Sequence, residues 1–403
     1  MRVGIARESR AGERRVAATP ETVEQMVGLG LDVRIESGAG VNSGYADAAY
    51  RDAGARVAQR LVVEDLDVLC HVRPLDLQTA GRLHSGAITI GLASPASELE
   101  TVRVLANGGV TAFALELVPR ISRSQSMDAL SSQALVSGYR AVLEAAIRFP
   151  RFFPLYMTAA GTIPPAKVLV LGAGVAGLQA IGTAKRLGAR VSANDIRPSS
   201  AEEVASIGGT FISLDIETAE AAGGYARELS QDRGTRQREL LAPHVAASDV
   251  LITTAAIPGR AAPLLVTTEM VQGMRAGSVV IDLAAESGGN VEGVVAGEDV
   301  LVPVKDGQVT LVGLADAPSA IATDASRLYA KNVVNLLALM TKNGTVAPDF
   351  GDEIISATCL THDGEVRHAP TAAALAGEPA PVPAPVSAPA PASASARPSN
   401  EED

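Results

Sequence analysis

Between Arg120 and Ala134 the chain reads RISRSQSMDALSSQA, a stretch in which guanidinium, amide, carboxylate and hydroxyl groups are concentrated. Apolar segments flank it on both sides. Because these groups donate and accept hydrogen bonds, the stretch is suited to holding a polar ligand. The structural alternative is a helix-capping segment in which Ser126 or Asp128 caps the helix that follows.

A second chemical signature is the sequence GAGVAG at residues 172–177, which is a GxGxxG motif. It follows the apolar run KVLVL and opens a helix-like pattern, and Asp195 ends the next apolar run. This context predicts a dinucleotide site, because glycines allow a tight turn and a close approach of the pyrophosphate to a helix N-terminus. A glycine-rich turn that binds nothing is the alternative. Expected contacts to the dinucleotide come from Gly172, Gly174, Val175, Ala176, Gly177 and Ile196.

Asp195 and Arg197 bear on the choice between NAD(H) and NADP(H). The Asp195 carboxylate would accept hydrogen bonds from the adenosine ribose hydroxyls and would repel a 2′-phosphate, which favours NAD(H). Arg197 lies two residues later, and an arginine can accommodate that phosphate. The sequence therefore predicts NAD(H) as the cofactor and leaves open whether Arg197 relaxes the preference.

Two further stretches belong to the predicted dinucleotide unit. ITTAAIPGRAAPLL follows a strand-like run, so Thr254, Ala255 and Ala256 are expected at a strand's carboxyl end, where ligands bind in such sheets. A polar segment interrupted by two glycines contains Tyr225. It is either a mobile lid in which Tyr225 closes over the cofactor or a solvated helical insertion.

The sequence lacks an obvious acid–base residue of the kind that most nicotinamide dehydrogenases use. Those enzymes oxidise an alcohol or amine with a positioned His, Lys or Tyr. Of the five histidines, His71 in LCHVRP is the best placed, although a lone histidine at a strand end is more often structural. Hydride transfer directly between two nicotinamide rings needs no acid or base, only geometry and exclusion of water.

Alternating patterns predict the elements that hold these residues. Short apolar runs such as MRVGIARE, LDVRIES and VLCHVRP alternate with the helix-like VAATPETVEQMVGLG and AAYRDAGARVA, which indicates a parallel sheet flanked by helices. A long helix is expected from about Met127 to Phe149. TDASRLYAKNVVNLLALM predicts a final helix that crosses back to the first domain. The apolar stripe of the long helix is predicted to contain Leu135, Tyr139, Val142 and Ala146.

The predicted fold class is therefore α/β, with two Rossmann-like doubly wound parallel-sheet domains linked by long helices. Residues 1–130 plus 320–368 form the N-terminal domain, which carries the polar stretch, and residues 131–319 form the NAD(H)-binding domain. From 369 to 403 the Ala-, Pro- and Ser-rich sequence predicts a disordered tail, because it cannot bury enough apolar surface to offset its ordering entropy.

Composition narrows the class of protein. The 403 residues suffice for two domains with sizeable cores, and 47% of them are hydrophobic. A net charge of −11 argues against nucleic acid as the main partner. Two cysteines and few histidines indicate a reducing compartment and no metal site. The nearest candidate for a membrane span, residues 168–184, contains four glycines and suits a strand–turn–helix better.

Four segments together resemble the soluble NAD(H)-binding component, a short form of the alpha subunit, of proton-translocating NAD(P)+ transhydrogenases. They are GAGVAGLQAIGTAKRLGA, ITTAAIPGRAAPLL, GSVVIDLAAESGGN and RISRSQSMDALSSQ. The resemblance covers roughly residues 1–368. The last segment is the most specific, since related dehydrogenases lack it.

This resemblance implies that the polar stretch reaches the nicotinamide. The Arg, Gln, Asp and Ser of that family's loop correspond to Arg120, Gln125, Asp128 and Ser131, which are therefore the expected catalytic residues. Arg120 and Asp128 would orient the carboxamide, and Gln125 would steer the ring toward NADP(H) on a partner. The implied activity is direct hydride transfer from NADH to NADP+ on an NADP(H)-binding beta subunit, coupled to proton translocation by separate membrane subunits.

The resemblance also implies a homodimer at the cytoplasmic face of the membrane, in contact with the membrane only through its partners. The alternative is an amino-acid dehydrogenase like the related alanine dehydrogenase. Arg15 matches a substrate-binding arginine there, in a motif that transhydrogenases share. The lysine and histidine of alanine dehydrogenase have no counterpart in CHVRP or near Gly91. A third hypothesis, a redox-sensing module that holds NAD(H) without turnover, is disfavoured because the whole polar stretch is retained.

Overall fold

A computed structural model describes residues 1–214, 231–257 and 259–377 of the chain. The strands, in chain order, are β1 (Arg2–Ile5), β2 (Asp32–Glu36), β3 (Arg56–Ala58), β4 (Val68–Cys70), β5 (Ile88–Gly91), β6 (Thr111–Ala114), β7 (Tyr156–Thr158), β8 (Gly161–Ile163), β9 (Lys167–Leu171), β10 (Arg190–Asn194), β11 (Thr210–Phe211), β12 (Val250–Thr253), β13 (Val279–Asp282), β14 (Asp299–Val304), β15 (Gly307–Gly313), β16 (Thr341–Lys342), β17 (Thr345–Val346), β18 (Cys359–His362) and β19 (Glu365–Val366). The α-helices are α1 (Pro20–Gly28), α2 (Asp47–Asp52), α3 (Leu77–Arg82), α4 (Leu99–Asn107), α5 (Ala129–Arg148), α6 (Val175–Arg186), α7 (Ser200–Ser206), α8 (Gln231–Ala247), α9 (Thr268–Gln272), α10 (Ala322–Met340), α11 (Glu353–Thr358) and α12 (Ala369–Ala376).

The first large sheet combines strands from both ends of the chain, in the order β19-β18-β6-β5-β4-β1-β2-β3. Strands β1 to β6 pair in parallel, whereas β18 pairs antiparallel with β6, and β19 pairs antiparallel with β18. Every residue of β4, β5 and β6 is buried, as expected for parallel strands covered on both faces. The antiparallel pair β18–β19 at the edge was not predicted from the sequence.

The second large sheet has the order β11-β10-β9-β12-β13-β15-β14 and is parallel except for β14. Chain order runs outward from β9 in one direction through β10 and β11, and in the other through β12 and β13. Ligands bind at such a switch point, outside the carboxyl ends of the strands. The predicted α/β class with two Rossmann-like parallel sheets is confirmed.

Two long helices connect the sheets. α5 follows a 3₁₀ helix at Ser122–Met127 and leads toward β9, and α10 leads back from the second sheet toward β18. α10 packs against α1, α5 and this 3₁₀ helix, and its buried face includes Tyr329, Val333 and Leu337. Among the described residues, no helix is both long and apolar enough to span a bilayer.

The predicted apolar stripe of α5 is wrong in part. Leu135 and Tyr139 are 42% and 41% exposed, whereas Val142 is buried as predicted. The buried face instead includes small residues such as Gly138 and Ala141, because α5 packs closely against α6. Side-chain bulk therefore did not indicate which face of this helix is buried.

The predicted helix in AAYRDAGARVA is shorter than expected. Only Asp47–Asp52 is helical, and Gly54 follows at φ +92°, a conformation that favours glycine and ends the helix. The chain then continues into Arg56–Ala58, which pairs in parallel with β2. The second half of the segment is thus a strand.

The prediction of a disordered tail from residue 369 is wrong for residues 369–377. Ala369–Ala376 form α12, which packs on α4 with Thr371 buried. Pro370 in the first turn and Gly377, at φ +73°, favour the start and the end of this helix, and alanine is the best helix former between them. Residues 378–403 lie outside the described residues.

Candidate functional site

The turn between β9 and α6 carries the GxGxxG residues. Gly172 has φ +96°, which favours glycine, and a Cβ there would lie 2.5 Å from Thr254 Oγ1. A Cβ on Gly177 would overlap the carbonyl oxygen of Gly172. α6 begins at Val175, with Gly174 as its N-cap and open space beside that glycine. The unpaired amides at the start of α6 therefore border an accessible turn that suits a pyrophosphate.

Asp195 ties the end of β10 to this turn. Its Oδ2 accepts a hydrogen bond from the Ala173 amide at 2.7 Å. Its Oδ1 accepts from the backbone amide and the Nε of Arg197 at 2.9 and 3.0 Å, and Ile196 between them is half-buried. The two residues whose charges bear on the adenosine ribose are therefore an ion pair. A 2′-phosphate at this position would meet a paired rather than a lone carboxylate.

The segment after β12 forms the opposite wall of the turn. Thr254 Oγ1 donates to the Gly172 carbonyl at 3.1 Å. The fully buried Asn290 holds Ala255 through two hydrogen bonds, since its Oδ1 accepts from the Ala255 amide at 3.0 Å and its Nδ2 donates to the Ala255 carbonyl at 2.8 Å. Ala256, the next residue, is exposed. The backbone of this wall is thus fixed while its tip remains accessible.

Asn290 and Asp282 support that wall, and the sequence analysis assigned them no role. Asp282 is fully buried at the end of β13, and its Oδ2 accepts the amides of Asn290 and Val291 at 2.6 and 3.0 Å. Burial raises the pKa of Asp282, while hydrogen bonds from backbone amides act in the opposite direction. The available signal was an aspartate ending the buried run VVID, followed by a glycine-rich turn that ends in asparagine.

The polar stretch folds as the 3₁₀ helix Ser122–Met127 followed by α5. The buried Ser124 closes this loop on itself, because its hydroxyl donates to the carbonyl oxygens of Pro119 and Ile121. The four residues assigned to the nicotinamide by resemblance lie together. One cavity of about 320 Å³ is lined by Arg120, Gln125, Asp128 and Ser131.

Asp128 also caps α5. Its Oδ1 accepts the Ser131 amide at 2.8 Å, and its Oδ2 accepts the Ser131 hydroxyl at 2.6 Å. The helix-capping alternative is therefore correct for Asp128. It does not exclude a ligand contact, because each carboxylate oxygen can accept more than one hydrogen bond. Gln125 is exposed, and its side-chain amide makes no hydrogen bond to the described part of the chain.

α5 links the polar loop to the dinucleotide turn. A Cβ on Gly138 would overlap the carbonyl oxygen of Ala176, in the first turn of α6, so the two helices are in close backbone contact. The ten residues from Asp128 to Gly138 span roughly 15 Å along a helix axis. The cavity and the glycine turn are therefore held at a separation that an extended dinucleotide can cover.

Arg15 is buried and paired with protein groups. Its guanidinium donates to Glu13 at 2.8 and 2.6 Å and to Gln133 Oε1 at 2.9 Å. Glu13 also pairs with Arg73 at 3.0 Å. Burial acts to raise the pKa of Glu13, but the hydrogen bonds and charge of Arg15 outweigh it, and the pKa falls to about 2. Each nitrogen of the Arg15 guanidinium thus already has a protein acceptor.

His71 is 4% exposed and lies against Gly91, where a Cβ would clash with the imidazole. Its Nδ1 lies 2.7 Å from the Arg73 carbonyl oxygen, to which the neutral imidazole donates. Burial lowers the pKa of His71 to about 4, so the ring is neutral at physiological pH. These surroundings support the structural role for His71 rather than acid–base catalysis.

Tyr225 could not be placed in the site. The segment 215–230, which contains this residue, lies outside the described residues, so the lid remains a prediction. Within the described ranges, no group of three or more His, Cys, Asp or Glu side chains could hold a metal ion.

Comparisons with known proteins agree with this geometry. The family model "Alanine dehydrogenase/PNT, N-terminal domain" matches residues 4–137, and "Alanine dehydrogenase/PNT, C-terminal domain" matches residues 141–369. The chain is 46% identical over 380 residues to the first polypeptide of the NAD(P) transhydrogenase alpha subunit of Rhodospirillum rubrum, covering 91% of this chain and 98% of the relative.

Two more relatives define the range of similarity. A crystal structure of transhydrogenase from Sinorhizobium meliloti superimposes with a TM-score of 0.81 at 45% identity, covering 91% of this chain and 100% of that one. Alanine dehydrogenase of Bacillus subtilis is 30% identical over 392 residues, covering 94% of this chain and 96% of the relative. The similarity is thus greater to transhydrogenases than to this alanine dehydrogenase.

Proposed function

The chain belongs to the alanine dehydrogenase/PNT family as a relative of NAD(P) transhydrogenase alpha subunits, and we propose that it is an NAD(H)-binding transhydrogenase subunit. It transfers hydride from NADH to NADP+ held on a partner subunit. The observation that carries this proposal is the cavity lined by Arg120, Gln125, Asp128 and Ser131, one helix away from the glycine turn.

The residues of the glycine turn hold the cofactor by its pyrophosphate and ribose. The amides at the start of α6 receive the pyrophosphate, and Asp195 accepts the ribose hydroxyls. Tyr225 is proposed to close over the bound cofactor. The full set of proposed contacts is Gly172, Gly174, Val175, Ala176, Gly177, Asp195, Ile196, Arg197, Tyr225, Thr254, Ala255 and Ala256.

The polar loop orients the reacting end of the cofactor. The Arg120 guanidinium donates to the carboxamide oxygen, and Asp128 accepts from the carboxamide nitrogen. Gln125, exposed at the cavity, contacts the ring on the side that faces the partner. Bound NADH supplies a hydride, which leaves as NAD+ forms and NADP+ becomes NADPH. Because no proton is exchanged in that step, the site needs no acid or base.

The subunit naming of the relatives implies a multisubunit complex, so the chain has partner subunits. We propose that these are an NADP(H)-binding beta subunit and membrane subunits that couple hydride transfer to proton translocation. The chain would lie at the cytoplasmic face of the membrane, contact the membrane only through these partners, and be active only with them.

We also propose a homodimer, which is supported by an apolar surface after α5. Ile147 and Met157 are 74% and 76% exposed, and Phe152, Leu155 and Tyr156 between them are about half exposed. The Phe152 and Tyr156 rings pack edge to face with centroids 4.7 Å apart. Contiguous exposed apolar groups of this kind mark interaction sites. We call Ile147, Phe152, Leu155, Tyr156 and Met157 the hairpin surface.

The alanine dehydrogenase alternative is disfavoured by two observations. Each Arg15 guanidinium nitrogen already donates to Glu13 or Gln133, which leaves the side chain poorly placed to receive a substrate carboxylate. His71 is buried, with a pKa near 4, and does not face an open cavity large enough for a substrate. Neither residue therefore offers what amino-acid oxidation requires.

The deciding experiment follows oxidation of NADH by the purified chain. One reaction contains the NADP+-loaded beta subunit and a spectrally distinct NAD+ analogue, and the other contains pyruvate and ammonium. We expect turnover only in the first. Turnover only in the second would establish an amino-acid dehydrogenase. Tight NADH binding with no turnover in either would favour the redox-sensing module.

A further inference from the structure

The carbonyl oxygen of Ser126, the residue directly after Gln125, is held by α10. The Nδ2 atoms of Asn332 and Asn335 each donate to this oxygen, both at 2.9 Å. The two asparagines are three residues apart and therefore lie on one face of α10. A carbonyl oxygen has two lone pairs, so both of its acceptor positions are used.

Asn332 is itself oriented by the polar stretch. It is 6% exposed, and its Oδ1 accepts a hydrogen bond from the Ser132 hydroxyl at 2.7 Å, which directs Nδ2 at Ser126. Ser132 lies in the first turn of α5, directly after the Asp128 cap and Ser131. α10, the start of α5 and the 3₁₀ helix Ser122–Met127 thus form one hydrogen-bonded unit. A buried amide that lost its acceptor would be costly, so the unit is maintained.

The direction of the Gln125 side chain depends on this unit. Ser124, on one side of Gln125, is buried and bonded to carbonyls earlier in the loop. Ser126, on the other side, is exposed apart from the two asparagine contacts that hold its carbonyl. Gln125 has no side-chain hydrogen bond of its own within the described ranges. Its position at the cavity is therefore set by the backbone between Ser124 and Ser126.

We propose that Asn332 and Asn335 are positioning residues for hydride transfer. They fix the 3₁₀ helix that presents Gln125, and through it they set how the nicotinamide faces the partner's NADP+. Neither asparagine lines the cavity, so they act through the loop rather than on the cofactor. The inference rests on the proposed function. Its expected magnitude is large, because a displacement of about 1 Å at a reacting centre costs on the order of a hundredfold in rate.

The decisive variant is Asn335→Asp, made in the full-length chain assembled with its partner subunits. Asn335 is only half-buried, so the change is tolerated by the fold. Aspartate has the same size but no donor when ionised. At pH 8 we expect single-turnover hydride transfer to slow roughly tenfold, with the Kd for NADH within about twofold of the wild type. As the pH falls toward the carboxyl pKa, the protonated side chain becomes a donor and the rate relative to wild type recovers.

Three further variants sharpen the test. Asn335→Leu removes the donor at every pH, so its rate should remain low where Asn335→Asp recovers. Asn332→Leu should slow transfer more than Asn335→Leu, because Asn332 also bonds Ser132. Lys331→Met is the matched control. It removes one side-chain hydrogen bond from the same helix, to Gln25 on α1 at 2.7 Å, away from the loop.

The outcomes separate this inference from the proposed function. Slow transfer with unchanged NADH affinity in the Asn335 variants, and wild-type behaviour of Lys331→Met, supports the positioning role. Equal rates in wild type and both Asn335 variants, or a loss of NADH affinity that matches the loss of rate, overturns it while the transhydrogenase function stands. Absence of transfer in the wild type itself overturns the proposed function and this inference with it.

Discussion

At the scale of single residues, the polar loop separates side chains that build it from the side chain that it presents. Ser124 closes the loop, and Asp128 caps α5 through Ser131. Gln125 lies between them, exposed and without a side-chain hydrogen bond to the described ranges. Substitution of a builder is expected to affect folding as well as function, whereas substitution of Gln125 should affect the reaction alone.

Gln125→Asn tests this separation. Asparagine keeps the amide but is one methylene shorter, so it cannot reach the ring in the same position. We expect hydride transfer to slow by roughly tenfold to a hundredfold while NADH affinity changes less than about threefold. Stopped-flow kinetics and calorimetric titration measure the two quantities. A matching loss in rate and affinity would contradict the steering role of Gln125.

His71 provides a pH-dependent prediction. Its pKa is lowered to about 4 by burial, so the folded state binds no proton at a pH where the unfolded chain, with a pKa near 6.5, does. The stability that neutral His71 contributes is therefore present above pH 6.5 and is lost as the pH falls through 4. Relative to His71→Asn, the wild type should lose up to about 3 kcal/mol of unfolding free energy over that range.

Chemical denaturation of both proteins at several pH values checks this. Glu8, whose pKa burial raises to about 7, is common to both proteins, so its own contribution largely cancels in the difference. His71→Asn should also retain transhydrogenation within about twofold at neutral pH, since the proposed reaction needs no base. A pH-independent difference in stability would show that His71 is not held neutral, and a large loss of activity would return it to the catalytic site.

At the scale of elements, the contact between α5 and α6 joins the two halves of the site. α5 carries the polar loop at its N-terminus, and α6 carries the dinucleotide turn at its own. Gly138 and Ala176 are in close backbone contact where the helices meet. A change at this contact should alter the distance between nicotinamide loop and phosphate turn without touching either.

Gly138→Ala is expected to push α5 away from α6, because the new methyl group would overlap the Ala176 carbonyl. We expect a loss of about 1–3 kcal/mol in unfolding free energy and weaker NADH binding. Gly182→Ala is the matched control in α6, since its nearest neighbour is the flexible end of Arg186 at 3.6 Å. That change should be neutral or stabilise the protein by up to about 1 kcal/mol. Equal effects of the two substitutions would remove the argument from close contact.

At the scale of the whole molecule, the hairpin surface is the exposed apolar feature that most needs a partner. It lies between α5 and β9 and so connects the two sheets. A second copy of the chain is the occupant that we propose, and partner subunits would then bind elsewhere. A dimer formed here would contact both the helix that carries the loop and the domain that holds the dinucleotide.

Met157→Asp places a charge in the centre of the proposed dimer contact, where an unpaired charge is costly. We expect the sedimentation coefficient to shift from dimer to monomer at micromolar protein concentration. Val41→Asp is the control, because Val41 is 59% exposed in another region of the first domain. A Met157→Asp protein that sediments as the wild type does would place the dimer contact, if one forms, on another surface.

The sequence by itself determined the features of this protein that depend on short spacing. A strand, three glycines and an acidic residue lie within about 30 residues, and each has a local reason: a tight turn, an open helix end, and a carboxylate at a strand terminus. The resemblance carried by the polar stretch identified Arg120, Gln125, Asp128 and Ser131, although no local rule distinguished ligand contact from helix capping. The alternation of strands and helices predicted the α/β class for the same reason, because periodicity is local.

Only the tertiary structure decided which distant residues complete the site. Asn332 and Asn335 lie about 200 residues from Ser126, and Asn290 lies 35 residues from Ala255. Their side chains are common polar groups whose partners depend on how α10 and the turn after β13 pack. The buried face of α5 was decided in the same way, since the close approach of α6 selects glycine and alanine over larger apolar residues. Packing between elements is a relation across the chain, and sequence periodicity within one element does not contain it.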